Sequence, residues 1–211
     1  KGNPWTPQGF PLNLHDIPKL TNNIDNKPMK CLHIITPVKD SIDSTLETVK
    51  AIMESDILVP FTYTVYNDFS TEENTHRLEE AARQWNFRLV NLSDLTDHPS
   101  PNYLLVLQTA QKEAIEADAG LLIVESDVIV KKNTLQSLYN GALQQKQCGI
   151  AAAVTTDEKG VINYPYLHAK GHENQVYPEK KHCSFCCSLL TPGLLKAFDF
   201  QTLDQIGRAH V

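Results

Sequence analysis

Between residues 30 and 154 short apolar runs alternate with segments of helical period, and this rhythm restricts the chain to one class of architecture. Cys31 to Ile35, Phe61 to Tyr66, Phe87 to Asn91, the run at Leu121 and Gly149 to Val154 read as strands, rich in β-branched or aromatic residues and closed by turn residues. Four helical patterns separate them. Leu46, Val49, Ile52 and Met53 share a face after the capping box Ser44-Thr45-Leu46-Glu47, and Ser70 to Glu73 repeats that spacing before a helix running to about Trp85. Leu104, Leu107, Ala110 or Gln111, Ala114 and Ala117 line a third, and Asn133 or Thr134 opens a fourth that ends near Leu143. The order predicts an α/β fold: a Rossmann-like, mostly parallel central sheet with helices on both faces, its crossovers right-handed.

The segment Gly120 to Asp127, Gly-Leu-Leu-Ile-Val-Glu-Ser-Asp, sharpens the reading. A strand hydrophobic at every position is buried on both faces, so its end must emerge at a polar rim. There Glu125 and Asp127 set two hard oxygen ligands side by side, the donor set of a divalent cation and the phosphates it carries. In an open α/β sheet ligands bind outside the carboxyl ends of the strands. Thr36-Pro37, Asn67-Asp68 and Glu125-Ser126-Asp127 are three such polar ends, expected on one edge. No G-x-G-x-x-G follows the first strand and no G-x-x-x-x-G-K-[ST] occurs, so a phosphate-bearing ligand needs a metal here.

A chain of 211 residues with 41% hydrophobic content supports one sizeable core. Residues 1 to 29 carry five of the twelve prolines without periodicity and read as an extended arm; 30 to 211 form the domain. After Thr155, Tyr164, Pro165, Gly171 and Pro178 break the rhythm before a strand at 185 to 190 and a short helix after Pro192. The formal charge of -6, without a long Lys or Arg run, argues against nucleic acid as a partner. Nothing approaches 18 consecutive apolar residues, and the start lacks a secretory pattern, so the expected location is the cytoplasm, with peripheral membrane association open.

Five cysteines do not make a disulfide framework. Cys183 and Cys186 have the gap of half a zinc site, but there is no second Cys pair and His168 and His172 would have to complete it. A buried strand with thiols as packing residues is the simpler reading. His33 reads as a strand residue with a satisfied hydrogen bond, and Tyr164 to His168 as either an acceptor-facing wall or a packed loop.

The stretches His33-Ile34-Ile35-Thr36-Pro37-Val38-Lys39-Asp40, Val65-Tyr66-Asn67-Asp68-Phe69-Ser70-Thr71 and Glu125-Ser126-Asp127 together resemble the family 2 glycosyltransferases of GT-A fold, over roughly residues 30 to 200. The resemblance implies that Thr36, Pro37 and Val38 cradle the base and ribose and that Asp68 contacts the base. Asn102, Glu125 and Ser126 then belong to the nucleotide site, and Asp127 ligates a Mn²⁺ or Mg²⁺ ion on the diphosphate. Residues 30 to 154 become the nucleotide-binding part and 155 to 211 the acceptor part, which ends at Val211 where family members usually continue and so reads as truncated. Phe198-Asp199-Phe200 resembles the family's Phe-Asp-Glu segment, making Asp199 and Asp204 the candidate general bases. The sequence departs from the family where Asn67 and Phe69 replace Asp and Gly, and where Glu125 replaces the first Asp of Asp-x-Asp.

The function so implied is metal-dependent, inverting transfer of a sugar from a nucleoside-diphosphate sugar, a UDP-sugar first, to a hydroxyl of a glycan, lipid or small-molecule acceptor. Two rivals stand beside it: a nucleotidylyltransferase, which needs a Gly-rich basic loop that Thr36-Pro37-Val38-Lys39 lacks, and a transferase-like domain that binds without turnover.

Overall fold

Five segments between residues 30 and 154 that the sequence marks as apolar runs become strands of one sheet. In the structure, a computed structural model describing residues 11–13, 29–163, 166–172, 175–179 and 182–202, the elements follow the expected order. After a three-residue strand β1 (Pro11–Asn13) come β2 (Leu32–Val38), α1 (Ile42–Met53), β3 (Phe61–Asn67), α2 (Glu72–Trp85), β4 (Arg88–Asn91) and α3 (Tyr103–Glu116). Then follow β5 (Gly120–Val124), α4 (Thr134–Gln144), β6 (Ile150–Ala152), β7 (His182–Ser184), β8 (Cys187–Leu190) and α5 (Pro192–Ala197). Most of the predicted arm lies outside the described residues; β1 pairs antiparallel with β7, and Met29 is buried in the core.

The central sheet has the order β4-β3-β2-β5-β8-β6. β4, β3, β2 and β5 run parallel, β8 is antiparallel to both β5 and β6, and the sheet is therefore mixed but mostly parallel. Insertion of β8 between β5 and β6 is the one placement that local pattern did not show, because pairing of strands far apart in the chain is a tertiary choice. The predicted strand at 185 to 190 is present as β8 from Cys187, and a turn at Phe185-Cys186 joins it to the preceding β7.

Alternation along β2 and β5 divides the core. Ile34, Val38, Leu122 and Val124 pack with α1, α2 and α4, whereas Ile35, Leu121 and Ile123 pack with α3 and α5. Helices thus cover both faces, and every residue of β5 is buried, as its unbroken hydrophobicity requires. At Gly120 a Cβ would come within 2.6 Å of Met29 Sδ and 2.9 Å of Leu189 Cδ1, so a side chain there would have to displace the ends of both.

Two predicted caps move. α1 starts at Ile42, before the Ser44 box, with Thr45 N–H donating to Ser41 O (2.9 Å), and α2 is capped by Thr71, whose hydroxyl accepts from Asn74 N–H (3.3 Å).

His33 is buried on the α3 face, its Nδ1 2.8 Å from Thr62 Oγ1 and its Nε2 3.3 Å from Glu113 Oε2. Burial lowers its pKa, opposed by the Glu113 carboxylate and reinforced by Arg88. A histidine depressed in the folded state binds its proton more readily when unfolded, so stability is lost as pH falls through the free value near 6.5. The expected result is a melting temperature that drops between pH 7.5 and 5.5, with a shallower drop in His33→Gln; parallel slopes for the two proteins would contradict this.

Candidate active site at the carboxyl edge of the sheet

The strand order reverses between β2 and β5: the chain proceeds outward from β2 to β3 and β4, then returns to lay β5 on the other side. Crevices of open α/β sheets form at such a switch. β2 pairs with β3 as far as Val38 but with β5 only as far as Ile35, so the two strands part at Thr36. Pro37, which has no N–H, is tolerated in a central strand because β5 has stopped pairing there. Continuing the register sets Glu125 level with Pro37, and Asp68 follows β3 on the same edge, its N–H donating to Val38 O (2.8 Å).

The sequence-predicted residues divide by what their side chains do. Thr36 is fully buried, its Oγ1 accepting from the Tyr63 hydroxyl (2.9 Å), and Val38 packs into the α1 face. Their side chains are packed in the core; Pro37, on the opposite face of the strand, is the half-buried member of the three.

Asp68 is 2% exposed and accepts three hydrogen bonds: from Ser100 Oγ (2.7 Å), Asn102 N–H (2.9 Å) and Asn102 Nδ2 (2.8 Å). Its carboxylate thus sits at the N-terminus of α3, where the helix dipole favours a negative charge. A cap at the start of α2, the local alternative for an acid at this position, is not what forms. Asn102 is committed too, since its Nδ2 also donates to His98 O (3.0 Å). Asp68 and Asn102 together lock the loop that leads into α3.

The loops after β2 and β3 are clasped. Asp40 Oδ1 accepts from Thr71 N–H (2.6 Å) and Asn74 Nδ2 (3.2 Å), and Asp40 N–H donates to Ser70 Oγ (2.9 Å). Burial alone would raise the Asp40 pKa, but these donors and Lys39 outweigh it and the net shift is downward. Phe69, at the glycine position of the resembled motif, keeps a left-handed backbone (φ 57°), and Lys39 Nζ donates to its carbonyl. That conformation is unfavourable for a residue with a Cβ, so the clasp has to hold it. Asn67 accepts from Ser70 N–H and donates to Thr75 Oγ1 and Asn91 Oδ1, a supporting part.

Past β5 the chain turns at Ser126-Asp127, closed by Val128 N–H to Glu125 O (3.1 Å). Glu125 is half-buried, Ser126 buried and Asp127 exposed. Burial, then the neighbouring Asp127 charge, pushes Glu125 up to about 7 despite a hydrogen bond from the Cys186 thiol. Partial desolvation also raises Asp127. Tyr103, buried at the start of α3, is pushed well up by burial and next by the Glu125 carboxylate, which ties the Asp68–Asn102 corner to the acid pair. Tyr103, Ser100 and Cys186 had no sequence signal, since nothing local shows which residue a distant segment brings to a strand end.

No Lys, Arg or His among the described residues makes an ion pair with Glu125 or Asp127. Nor do the described residues hold a group of three or more His, Cys, Asp or Glu side chains fit to cage a metal. Two adjacent carboxylates without a counter-charge suit a hard divalent cation that completes its shell with phosphate oxygens and water. All five cysteines are free of disulfides, and burial pushes Cys183 up to about 11 and Cys186 and Cys187 up to about 12.

Asp199 is not brought to the pair. Exposed, its Oδ1 accepts from Gln201 N–H (2.8 Å), while its neighbours Phe198 and Phe200 bond Gln111, eight residues or about 12 Å along α3 from Tyr103. Asp204, Tyr164 and Pro165 lie outside the described residues. Among the described residues no helix is long and apolar enough to cross a membrane.

No family model matches the sequence, and no curated protein does. Among solved structures the chain is similar to TarS of S. aureus in complex with UDP-GlcNAc (21% identity, 56% of this chain and 32% of that one, TM-score 0.44). It is also similar to the mannosyltransferase PcManGT of Pyrobaculum calidifontis in complex with GDP-Man and Mn²⁺ (16%, 65% and 39%, TM-score 0.45). A third is the glucosyl-3-phosphoglycerate synthase of Mycobacterium tuberculosis in complex with Mn²⁺, UDP and glucosyl-3-phosphoglycerate (14%, 77% and 57%, TM-score 0.48). The chain spans 32% to 57% of their lengths, and every TM-score is below 0.5, so what this protein does has to be read from its own residues.

Proposed function

We propose that this domain binds a nucleoside-diphosphate sugar, a UDP-sugar first, through a divalent cation and transfers the sugar to an acceptor hydroxyl with inversion. The observation that carries the reading is the pair Glu125 and Asp127: partly desolvated, uncompensated by any basic side chain among the described residues, and set where β2 and β5 part. The N-termini of α2 and α3, which would otherwise attract phosphate, already hold Asp40 and Asp68. Diphosphate therefore needs a cation here, and Asp127 with Glu125 supplies the oxygens to hold it.

Asp127, the more exposed, takes the cation, and Glu125 and Ser126 flank the ribose and diphosphate. Pro37 offers an apolar surface for the base. Asp68 and Asn102 shape the pocket by fixing the 98–102 loop, and Asp68 retains one of its four lone-pair sites for a donor from the base. When bound, the cation offsets the negative charge that grows on the departing diphosphate. Inversion requires an acid to accept the acceptor's hydroxyl proton, and Asp199 and Asp204 are the candidates for it.

Calorimetric titration with UDP in Mn²⁺ and in EDTA tests the reading. Binding that disappears in EDTA is expected, followed by nucleoside-diphosphate release from a panel of UDP-sugars and GDP-mannose. Equal UDP affinity in both buffers overturns it, and cation-dependent binding without turnover identifies a binding module.

A further inference from the structure

Cys186 has the environment of a directed group rather than of filler. It is 6% exposed, and its N–H donates to Ser184 Oγ (3.3 Å), which lies 2.9 Å from Cys186 Sγ. The Glu125 carboxylate is its cross-strand neighbour, near enough for thiol and carboxyl each to shift the other's pKa. Ser184 is itself pinned: its N–H donates to the Tyr166 hydroxyl (3.1 Å), and its carbonyl accepts from that hydroxyl (3.2 Å) and from Ser188 Oγ (2.5 Å). The backbone repeats the tether, since Glu125 N–H donates to Cys186 O (2.9 Å) beside the register pair Val124 and Cys187. One residue thus holds Glu125 by main chain and sets a thiol beside its carboxylate.

A glutamate has one more rotatable bond than an aspartate, so a Glu in the first acidic position has more freedom to lose when it binds. A donor fixed by a buried chain removes that freedom in advance. We propose that Cys186 is a positioning residue for the acid pair: its thiol binds one Glu125 oxygen and leaves the other turned toward the donor nucleotide. This rests on the nucleotide-sugar reading above. The same tether continues through Ser184 to Tyr166, so the irregular region after residue 155 buttresses the donor site. Without it, that region is only a neighbour.

The test is a double-substitution cycle on the full chain, read as UDP affinity in Mn²⁺ by calorimetry. Loss of a residue that orients a metal ligand from behind typically costs tenfold or more, so Cys186→Ala is expected to weaken binding about tenfold. Cys186→Ser, which keeps a donor, is expected within about threefold of wild type. In a Glu125→Ala background, Cys186→Ala should have no further effect, because its target is gone. Cys186→Val fills the thiol's volume without a donor and replaces the alanine variant should that one fail to fold. Wild-type affinity in Cys186→Ala or Cys186→Val, or an equal loss in both backgrounds, overturns the positioning role. Absence of Mn²⁺-dependent UDP binding in the unsubstituted protein overturns the nucleotide reading itself, and is seen before any substitution is made.

Discussion

Asp127→Asn is expected to lower Mn²⁺-dependent affinity for UDP about 100-fold while leaving the protein folded. Removing one charged partner from a partly desolvated set costs about 3 kcal/mol, which converts to roughly that factor. The same substitution stabilises the metal-free protein at high pH. In the chelated protein Glu125 titrates at about 7 when folded, raised by burial and then by Asp127. A carboxyl raised in the folded state contributes stability below the unfolded value near 4.5, and that contribution is lost as pH rises through 7. Without the Asp127 charge Glu125 ionises at less cost, so the Asp127→Asn protein in EDTA should melt higher than wild type at pH 8 and equally at pH 5. A variant that binds UDP as wild type does in Mn²⁺ would remove Asp127 from the site. Stability surrendered in this way is the common signature of a charge kept for a ligand.

Asp68→Ala is expected to cost about 3 to 5 kcal/mol of stability, because a buried carboxylate with three donors disappears, Ser100 Oγ and Asn102 N–H lose their acceptor and Asn102 Nδ2 keeps only His98 O. At roughly 2 to 4 °C per kcal/mol for a chain of this size, melting falls by about 10 °C. Asp68→Asn keeps the shape but turns an NH₂ toward at least one of those donors, and about half the effect is expected. Hydrogen exchange should locate the damage at the start of α3, around Asn102 to Val106, rather than at α2. An unchanged melting curve in Asp68→Ala would mean that the loop stands without its carboxylate. Measured at 10 °C, where the variant remains folded, UDP affinity separates loop support from direct base contact: Asp68→Asn loses more affinity than the loop change explains only if the base is touched.

These two aspartates show how far local pattern reaches. Asp127 was legible because its position follows from β5, a strand whose continuous hydrophobicity dictates burial on both faces and whose end must meet water. Asp68 was legible as a strand-end acid, but its partners come from a loop 32 to 34 residues later, and no spacing rule connects them. Thr36 was legible as a polar residue near the end of β2, but the face it takes was not. A one-residue step along a strand reverses the face, and the register with β3 turns Thr36 to Tyr63 while Pro37 faces the other way. Phe69 is a similar case: a left-handed backbone is ordinarily a glycine's, and only the Lys39 and Asp40 clasp makes a phenylalanine acceptable there.

The alternation of apolar runs and amphipathic segments determined by itself that a mostly parallel sheet would form with helices on both faces, since a strand buried on both sides can be satisfied in few other ways. It also determined that Glu125, Ser126 and Asp127 would emerge at the sheet's carboxyl edge. Only the tertiary structure decided that β8 would enter between β5 and β6, carrying Cys186 to Glu125, and that α3 would take Asp68 at its N-terminus. Periodicity reports the faces that a segment must bury, a property of neighbours in the chain; which polar groups then meet is set by strand order and register, a property of residues far apart in it.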